Sequence, residues 1–126
     1  MRAVDTNVLV RLIARDDAKQ VRAAESFISS GAWVSHLVLA EAVWVLSTVY
    51  ALDASEVATA VDMLLSHETL SLQESEVVES ALARYRQRPA IGFSDCLVLE
   101  IARKAGHTPL GTFDKNLSKL DGAARL

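Results

Sequence analysis

The sequence predicts an α/β fold in which a central parallel sheet of four to five short strands has helices on both faces. Short apolar runs alternate with longer segments of helical periodicity along the whole chain. No linker, repeat or low-complexity segment interrupts this alternation, and 126 residues are the length of one ordinary domain. We therefore expect a single domain over residues 1–126.

The predicted strands are short apolar runs that come directly before segments of helical periodicity. Strands that alternate with helices favour parallel pairing, because each helix returns the chain to the same end of the sheet. We predict these strands at residues 2–4, 32–35, 69–72 and 109–113.

The helices are predicted from their periodicity and from the residues at their ends. Gly31 and Gly106 follow two of them as C-terminal caps, and Asp53 or Ser55 is the N-cap of another. The helix over residues 36–50 is apolar on nearly every side. The predicted helices cover residues 6–14, 17–29, 36–50, 54–67, 75–88, 94–105 and 114–120.

Composition limits the classes of function. A net charge of −3 argues against a basic DNA-binding face, although bound divalent cations would reverse the local charge of an acidic site. The single cysteine, Cys96, excludes an internal disulfide framework and suits a reducing cytoplasm. The start lacks an apolar signal segment, and polar residues interrupt the longest apolar stretch, residues 37–50. We expect a cytoplasmic protein without membrane contact.

Three aspartates stand where a parallel sheet binds ligands. Asp5 and Asp114 each follow a predicted strand, and Asp95 lies in the first turn of a helix. Ligands of open α/β sheets bind at the carboxyl ends of the strands. Each position also has a structural explanation, since Asp5 and Asp114 would serve as N-caps and an acid near a helix N-terminus interacts favourably with the helix dipole.

The face on which Asp95 lies favours a functional role. Asp95 shares a helix face with Val98 and Leu99, which we expect to be buried. The expected solvent face carries Glu100, Arg103 and Lys104.

Glu41 lies within an apolar helical segment. Its neighbours three and four positions away are all apolar: Leu37, Val38, Trp44 and Val45. We expect Glu41 to be buried, and a buried carboxylate without a partner costs several kcal/mol. Glu41 therefore requires a cation, a cleft or a buried arginine.

Several carboxylates in one pocket repel each other, and a divalent cation relieves this repulsion. Ligation by oxygen alone selects Mg²⁺ or Mn²⁺ over zinc. Mg²⁺ keeps several waters and binds through carboxylates and a substrate phosphate, which suits phosphodiester hydrolysis. If the four acids converge, they predict a metal-dependent site of this kind.

Four short motifs, in this order, resemble the PIN domain. They are Asp5-Thr-Asn7 after the first strand, the lone Glu41 in an apolar helix, Ser94-Asp95 at a helix start and Thr112-Phe-Asp114 after a late strand. The resemblance covers nearly the whole chain and, with its length, points to the VapC-type toxins of bacterial toxin–antitoxin pairs.

The resemblance implies a PIN-like three-layer fold and an endoribonuclease that requires Mg²⁺ or Mn²⁺. Its catalytic and metal-binding residues would be Asp5, Glu41, Asp95 and Asp114. Asn7 would support the site by a hydrogen bond to a carboxylate, and Thr112 by orienting an acid or a metal-bound water. Related chains often continue into a final edge strand, and the sequence leaves that fifth strand open.

The resemblance also implies the partners. They are an RNA substrate, a second copy of the chain, and a cognate antitoxin whose C-terminal segment lies across the active-site groove. Arg11 and Lys115 are candidates for RNA contact, with a solvated surface as the ordinary explanation for such residues. No dinucleotide fingerprint or phosphate-binding Gly-Lys loop is present, so we expect no nucleotide cofactor.

Two other functions compete with this interpretation. A phosphatase resembling haloacid dehalogenases would need a second acid two positions after the first, and Asn7 stands there. A PIN fold kept only for binding protein or RNA is the other alternative, against which the presence of all four acids argues.

The two apolar helices over residues 36–50 and 54–67 predict a homodimer. A sheet covers only one side of such a helix, and the remainder leaves an exposed apolar patch that marks an interaction surface. We expect a two-fold interface there. The alternative is that neighbouring helices of the same chain cover the patch.

Overall fold

A computed structural model describes residues 1–126. The chain divides into two compact units, Met1–Ser75 and Glu76–Leu126. Both units combine helices with parallel strands. The predicted α/β class is confirmed, because the chain has six α-helices and every strand pair is parallel. None of these helices has the length and apolar character needed to cross a bilayer.

The first unit contains a three-stranded parallel sheet with its second strand in the middle. The strands are β1 (Arg2–Ala3), β2 (Ala32–Val34) and β3 (Leu70–Leu72). Residues alternate between the faces of β2, so that Ala32 and Val34 are buried whereas Trp33 is exposed.

Four helices complete the first unit, and a side-chain cap begins each of them. Asp17 accepts a hydrogen bond from the Gln20 amide, and Asp53 and Glu56 form a reciprocal capping box. Asp53, rather than Ser55, is therefore the cap of α4. The helices are α1 (Thr6–Ala14), α2 (Ala18–Ile28), α3 (His36–Thr48) and α4 (Ala54–Ser66).

The second unit has two helices followed by two strands. The helix α6 ends as predicted at Gly106, which adopts the left-handed conformation with φ +84°. Its elements are α5 (Ser75–Gln87), α6 (Phe93–Ala105), β4 (Leu110–Thr112) and β5 (Ala123–Arg125), with 3-10 turns at Pro89–Ile91 and Leu117–Lys119.

The fifth strand that the sequence left open is present. β5 pairs in parallel with β4, and Thr112 lies opposite Arg125. The five strands nevertheless form a sheet of three and a separate pair instead of one central sheet. The helix expected over residues 114–120 is reduced to the 3-10 turn Leu117–Lys119.

An ion pair within α6 includes an arginine that also binds the segment before β5. Glu100 is only 6% exposed, and its Oε2 lies 3.1 Å from the Arg103 Nε. The same guanidinium donates a hydrogen bond to the Asp121 carbonyl. The prediction that Glu100 faces solvent is wrong, because its pairing with Arg103 allows the carboxylate to be buried.

Candidate functional site

Asp5 follows the first strand and caps α1. Its carboxylate accepts a hydrogen bond of 2.7 Å from the Thr6 amide, so the structural explanation for this acid holds. A carboxylate has two oxygens and about four acceptor positions. The cap therefore leaves Asp5, which is exposed, with acceptors for a cation.

Thr6 links Asp5 to Glu41. Its hydroxyl donates a hydrogen bond of 2.9 Å to the Glu41 Oε2, while its amide donates to Asp5. Thr6 is only 9% exposed, so α1 and α3 hold this hydroxyl firmly between them. Thr6 is the middle residue of the Asp5-Thr-Asn7 motif, but the motif alone does not predict its hydrogen bond to Glu41, which depends on the packing of α1 against α3.

The prediction that Glu41 is buried is wrong. Glu41 is exposed, and no arginine pairs with it. The face of α3 that points to solvent includes Leu37, Glu41 and Trp44, with Leu37 and Trp44 70% and 63% exposed. Water reaches Glu41 because the apolar face around it is itself uncovered.

The second acidic pair lies in the second unit. Asp95 is in the first turn of α6, and Asp114 follows β4. Burial raises the pKa of Asp95, and the charge of Asp114 raises it further. The two carboxylates are thus close enough to repel each other, and no side-chain donor forms a hydrogen bond with both of them.

Hydrogen bonds fix the backbone around Asp114. Its amide donates to the Thr112 hydroxyl at 3.0 Å, and its Oδ1 accepts from the Leu117 amide at 2.8 Å. The N-cap of the 3-10 turn is Asn116 and not Asp114, although the Asp114 carboxylate binds the amide of the first residue of the turn. Thr112 holds the residue through the backbone, which supports its predicted positioning role without testing the role in catalysis.

The predicted burial around Asp95 is correct only in part. Leu99 is fully buried, but Val98 is 48% exposed. Burial and the charges of Asp95 and Glu100 raise the pKa of the neighbouring Cys96 thiol to about 11. This thiol is protonated at neutral pH and is not an activated nucleophile.

Arg11 is already engaged within the first unit. Its guanidinium donates to the Tyr50 hydroxyl at 2.9 Å, pairs with Asp16 and bonds to Gln20. The Tyr50 hydroxyl, with Arg11, lowers the pKa of Asp16. The Asn7 side chain is exposed and forms no hydrogen bond with an acid, so the roles of Asn7 and Arg11 stay predictions.

Two free cations flank the end of β4. Lys115 follows Asp114, and Arg125 lies opposite Thr112 across the β4–β5 pair. Both are exposed, and neither forms an ion pair. Arg125 was missed because its position beside Thr112 depends on β5, which the sequence did not establish.

The four acids thus form one pair in each unit, and neither unit contains three metal-binding side chains arranged around one point. Every donor in these pairs is an oxygen, which fits Mg²⁺ or Mn²⁺ and does not fit a thiolate-binding metal. The uncompensated repulsion between Asp95 and Asp114 is the feature that a divalent cation would relieve.

The sequence matches a known protein family. The sequence model of the family described as PIN domain matches residues 2–123, which covers both units. No curated protein and no solved structure matches the chain.

Proposed function

We propose, from the premise that this chain belongs to the PIN domain family, that it is an endoribonuclease dependent on Mg²⁺ or Mn²⁺. PIN domains are generally nucleases. The observation that carries the proposal is the Asp95–Asp114 pair, in which Asp95 lies in the first turn of α6, Asp114 follows β4, and the charge of Asp114 adds to burial in raising the pKa of Asp95. Acids arranged in this way bind hard divalent cations.

The acids have distinct tasks in this proposal. Asp95 and Asp114 supply the charge that holds a cation, and Thr112 keeps Asp114 in place through its amide. Asp5 and Glu41, joined by Thr6, supply further oxygen ligands. A bound divalent ion would lower the pKa of the attacking water and stabilise the charge that develops on the phosphate.

A cleavage assay on total RNA tests the activity. We expect cleavage in the presence of Mn²⁺, and a chelator should abolish it. The Asp5→Asn variant should cleave on the order of a hundredfold more slowly, because the substitution removes a catalytic electrostatic contact. Glu68→Gln is the matched control, because it removes an exposed charge from the same unit at the amino end of β3, whereas Asp5 follows the carboxyl end of β1. Cleavage that survives both chelation and Asp5→Asn would refute the proposal.

We propose further that both acidic pairs serve the same reaction. Residues that act as a unit give effects that are far from additive. The double variant Asp5→Asn with Asp95→Asn should therefore lose little more activity than either single variant. If the loss of activity in the double variant equals the product of the two single losses, the pairs act independently.

The proposed biological role is that of a toxin held inactive by an antitoxin. Support comes from the uncovered apolar face of α3, since a protein that covers Leu37 and Trp44 also covers Glu41 between them. Induced expression should arrest growth, and Asp5→Asn should remove the arrest. Equal arrest by the Asp5→Asn variant would contradict toxicity by cleavage.

A homodimer is the proposed assembly. Val49 at the C-cap of α3 and Met63 of α4 support it, because their side chains are 69% and 56% exposed. Light scattering should give about twice the monomer mass of 13.7 kDa. Met63→Lys should shift the mass towards the monomer, whereas a monomeric wild-type chain would rule out this assembly.

A further inference from the structure

Phe113 is an exposed aromatic side chain beside an acid of the proposed site. It lies between Thr112 and Asp114 and is 80% exposed, more than any other aromatic residue of the chain. Phe93, by contrast, is buried and packs edge to face on Tyr85. Phe113 therefore contributes little to the core, and its exposure requires another explanation.

The backbone on either side of Phe113 is fixed. The Thr112 carbonyl accepts a hydrogen bond of 2.9 Å from the Leu126 amide, within the β4–β5 pair. After Phe113, the Asp114 amide binds the Thr112 hydroxyl and the Leu117 amide binds the Asp114 carboxylate. The ring is thus presented on a held turn, which lowers the entropy cost of binding a partner there.

Two exposed cations flank the segment that carries Phe113, and they favour a polyanion that carries flat apolar groups. Lys115 is two positions after Phe113, and Arg125 lies opposite Thr112 across the β4–β5 pair, and neither forms an ion pair. Proteins bind single-stranded nucleic acid by combining cations for the phosphates with aromatic rings on which bases stack. A protein partner would have to leave these two cations unpaired or supply matching acids.

We propose that Phe113 is a stacking platform for a base of single-stranded RNA next to the cleaved phosphate, with Lys115 and Arg125 contacting adjacent phosphates. The inference rests on the proposed ribonuclease function and names a residue of that site that would contact a substrate base. Bases within a duplex stack on one another and expose no face to the ring, so the platform selects single-stranded segments. Because every base has a π face, the selection is for strandedness and not for sequence.

Binding of a short single-stranded RNA, followed by fluorescence anisotropy, tests the proposal. The protein carries Asp95→Asn and the buffer contains a chelator, so the RNA remains intact. We expect Phe113→Ala to raise the Kd on the order of tenfold, as for the loss of one base–aromatic stack. Phe113→Tyr should restore binding, because it keeps the ring. Val98→Ala is the control, since it removes an exposed apolar side chain from the same unit.

Duplex RNA of the same sequence provides the second measurement. The duplex should bind more weakly than the single strand. Its Kd should be the same for the protein that retains Phe113 and for the Phe113→Ala variant. Unchanged binding of single-stranded RNA by Phe113→Ala, or failure of Phe113→Tyr to restore it, would overturn the stacking role while leaving cleavage by the wild type intact. If the wild type neither binds nor cleaves RNA, the proposed function and this inference fall together.

Discussion

The two acidic pairs are held in opposite ways. In the first unit, Thr6 donates one hydrogen bond to Asp5 and one to Glu41, and both donors stabilise charged carboxylates. In the second unit, Asp95 is partly buried and faces the charge of Asp114. The first pair is therefore stable as it stands, whereas the second lacks compensation and gains most from a cation.

Neutralising Asp95 should produce the largest effect. Asp95→Asn keeps the shape of the side chain but removes the charge, and cleavage should fall on the order of a hundredfold or more. Stability in the absence of metal should rise, because the repulsion from Asp114 is gone. Kinetics and thermal melting of the same preparation check both results, and full activity would remove Asp95 from the site.

Breaking the ion pair of α6 should destabilise the fold. Arg103→Ala leaves the buried Glu100 without its partner, and we expect a loss of about 1–3 kcal/mol in the free energy of unfolding. Urea denaturation measures this loss. The exposed Lys104–Glu76 pair gives a matched control, since Lys104→Ala should cost less than about 1 kcal/mol. Equal losses would show that burial of Glu100 adds nothing.

Removing the Thr6 hydroxyl should leave Glu41 without its hydrogen-bond donor, so that the first pair loses compensation that the second pair already lacks. Thr6→Val deletes the donor to Glu41 at nearly constant volume and should cost about 0.5–1.5 kcal/mol. Thr6→Ser keeps the hydroxyl and serves as the control in the same denaturation experiment. A Thr6→Val protein as stable as the wild type would mean that water replaces this hydrogen bond without loss.

The smallest effect concerns pH in metal-free buffer. An acid whose pKa is raised by folding binds more protons in the native state, so stability falls as pH rises through the interval between its unfolded and folded pKa values. This interval begins near the ordinary pKa of Asp and extends upward. Melting temperatures of wild type and Asp95→Asn, measured from pH 3 upward, should diverge there in favour of the variant (roughly pH 4 upward). Parallel curves would contradict the raised pKa.

Local signals predicted much of the fold. The start of α1 after Asp5, the capping of α4 by Asp53 and the end of α6 at Gly106 all follow from residues that satisfy or end backbone hydrogen bonds nearby. Such signals depend on a few adjacent positions. They also predicted where Asp5 and Asp114 stand, because strand ends and caps are local features.

Burial was harder to predict because it depends on what covers a helix. Glu41 was expected inside and is exposed, since nothing covers the apolar face of α3 around it. Glu100 was expected outside and is buried, since Arg103 compensates its charge. The pairing of β5 with β4 likewise depends on contacts between distant segments, and with it the position of Arg125.

Gly122 gives the ion pair of α6 a consequence for mutational tolerance. Its φ is +90°, and a Cβ placed there would lie 2.8 Å from the Arg103 guanidinium, which Glu100 and the Asp121 carbonyl already hold. Any side chain would meet a strained backbone, and the Arg103 guanidinium would have to leave Glu100 or the Asp121 carbonyl to make room for it. If every position is substituted in turn and cleaving protein is selected, Gly122 should therefore tolerate substitution poorly, as the four acids should. If folded protein alone is selected, the acids should tolerate substitution while Gly122 remains sensitive to it.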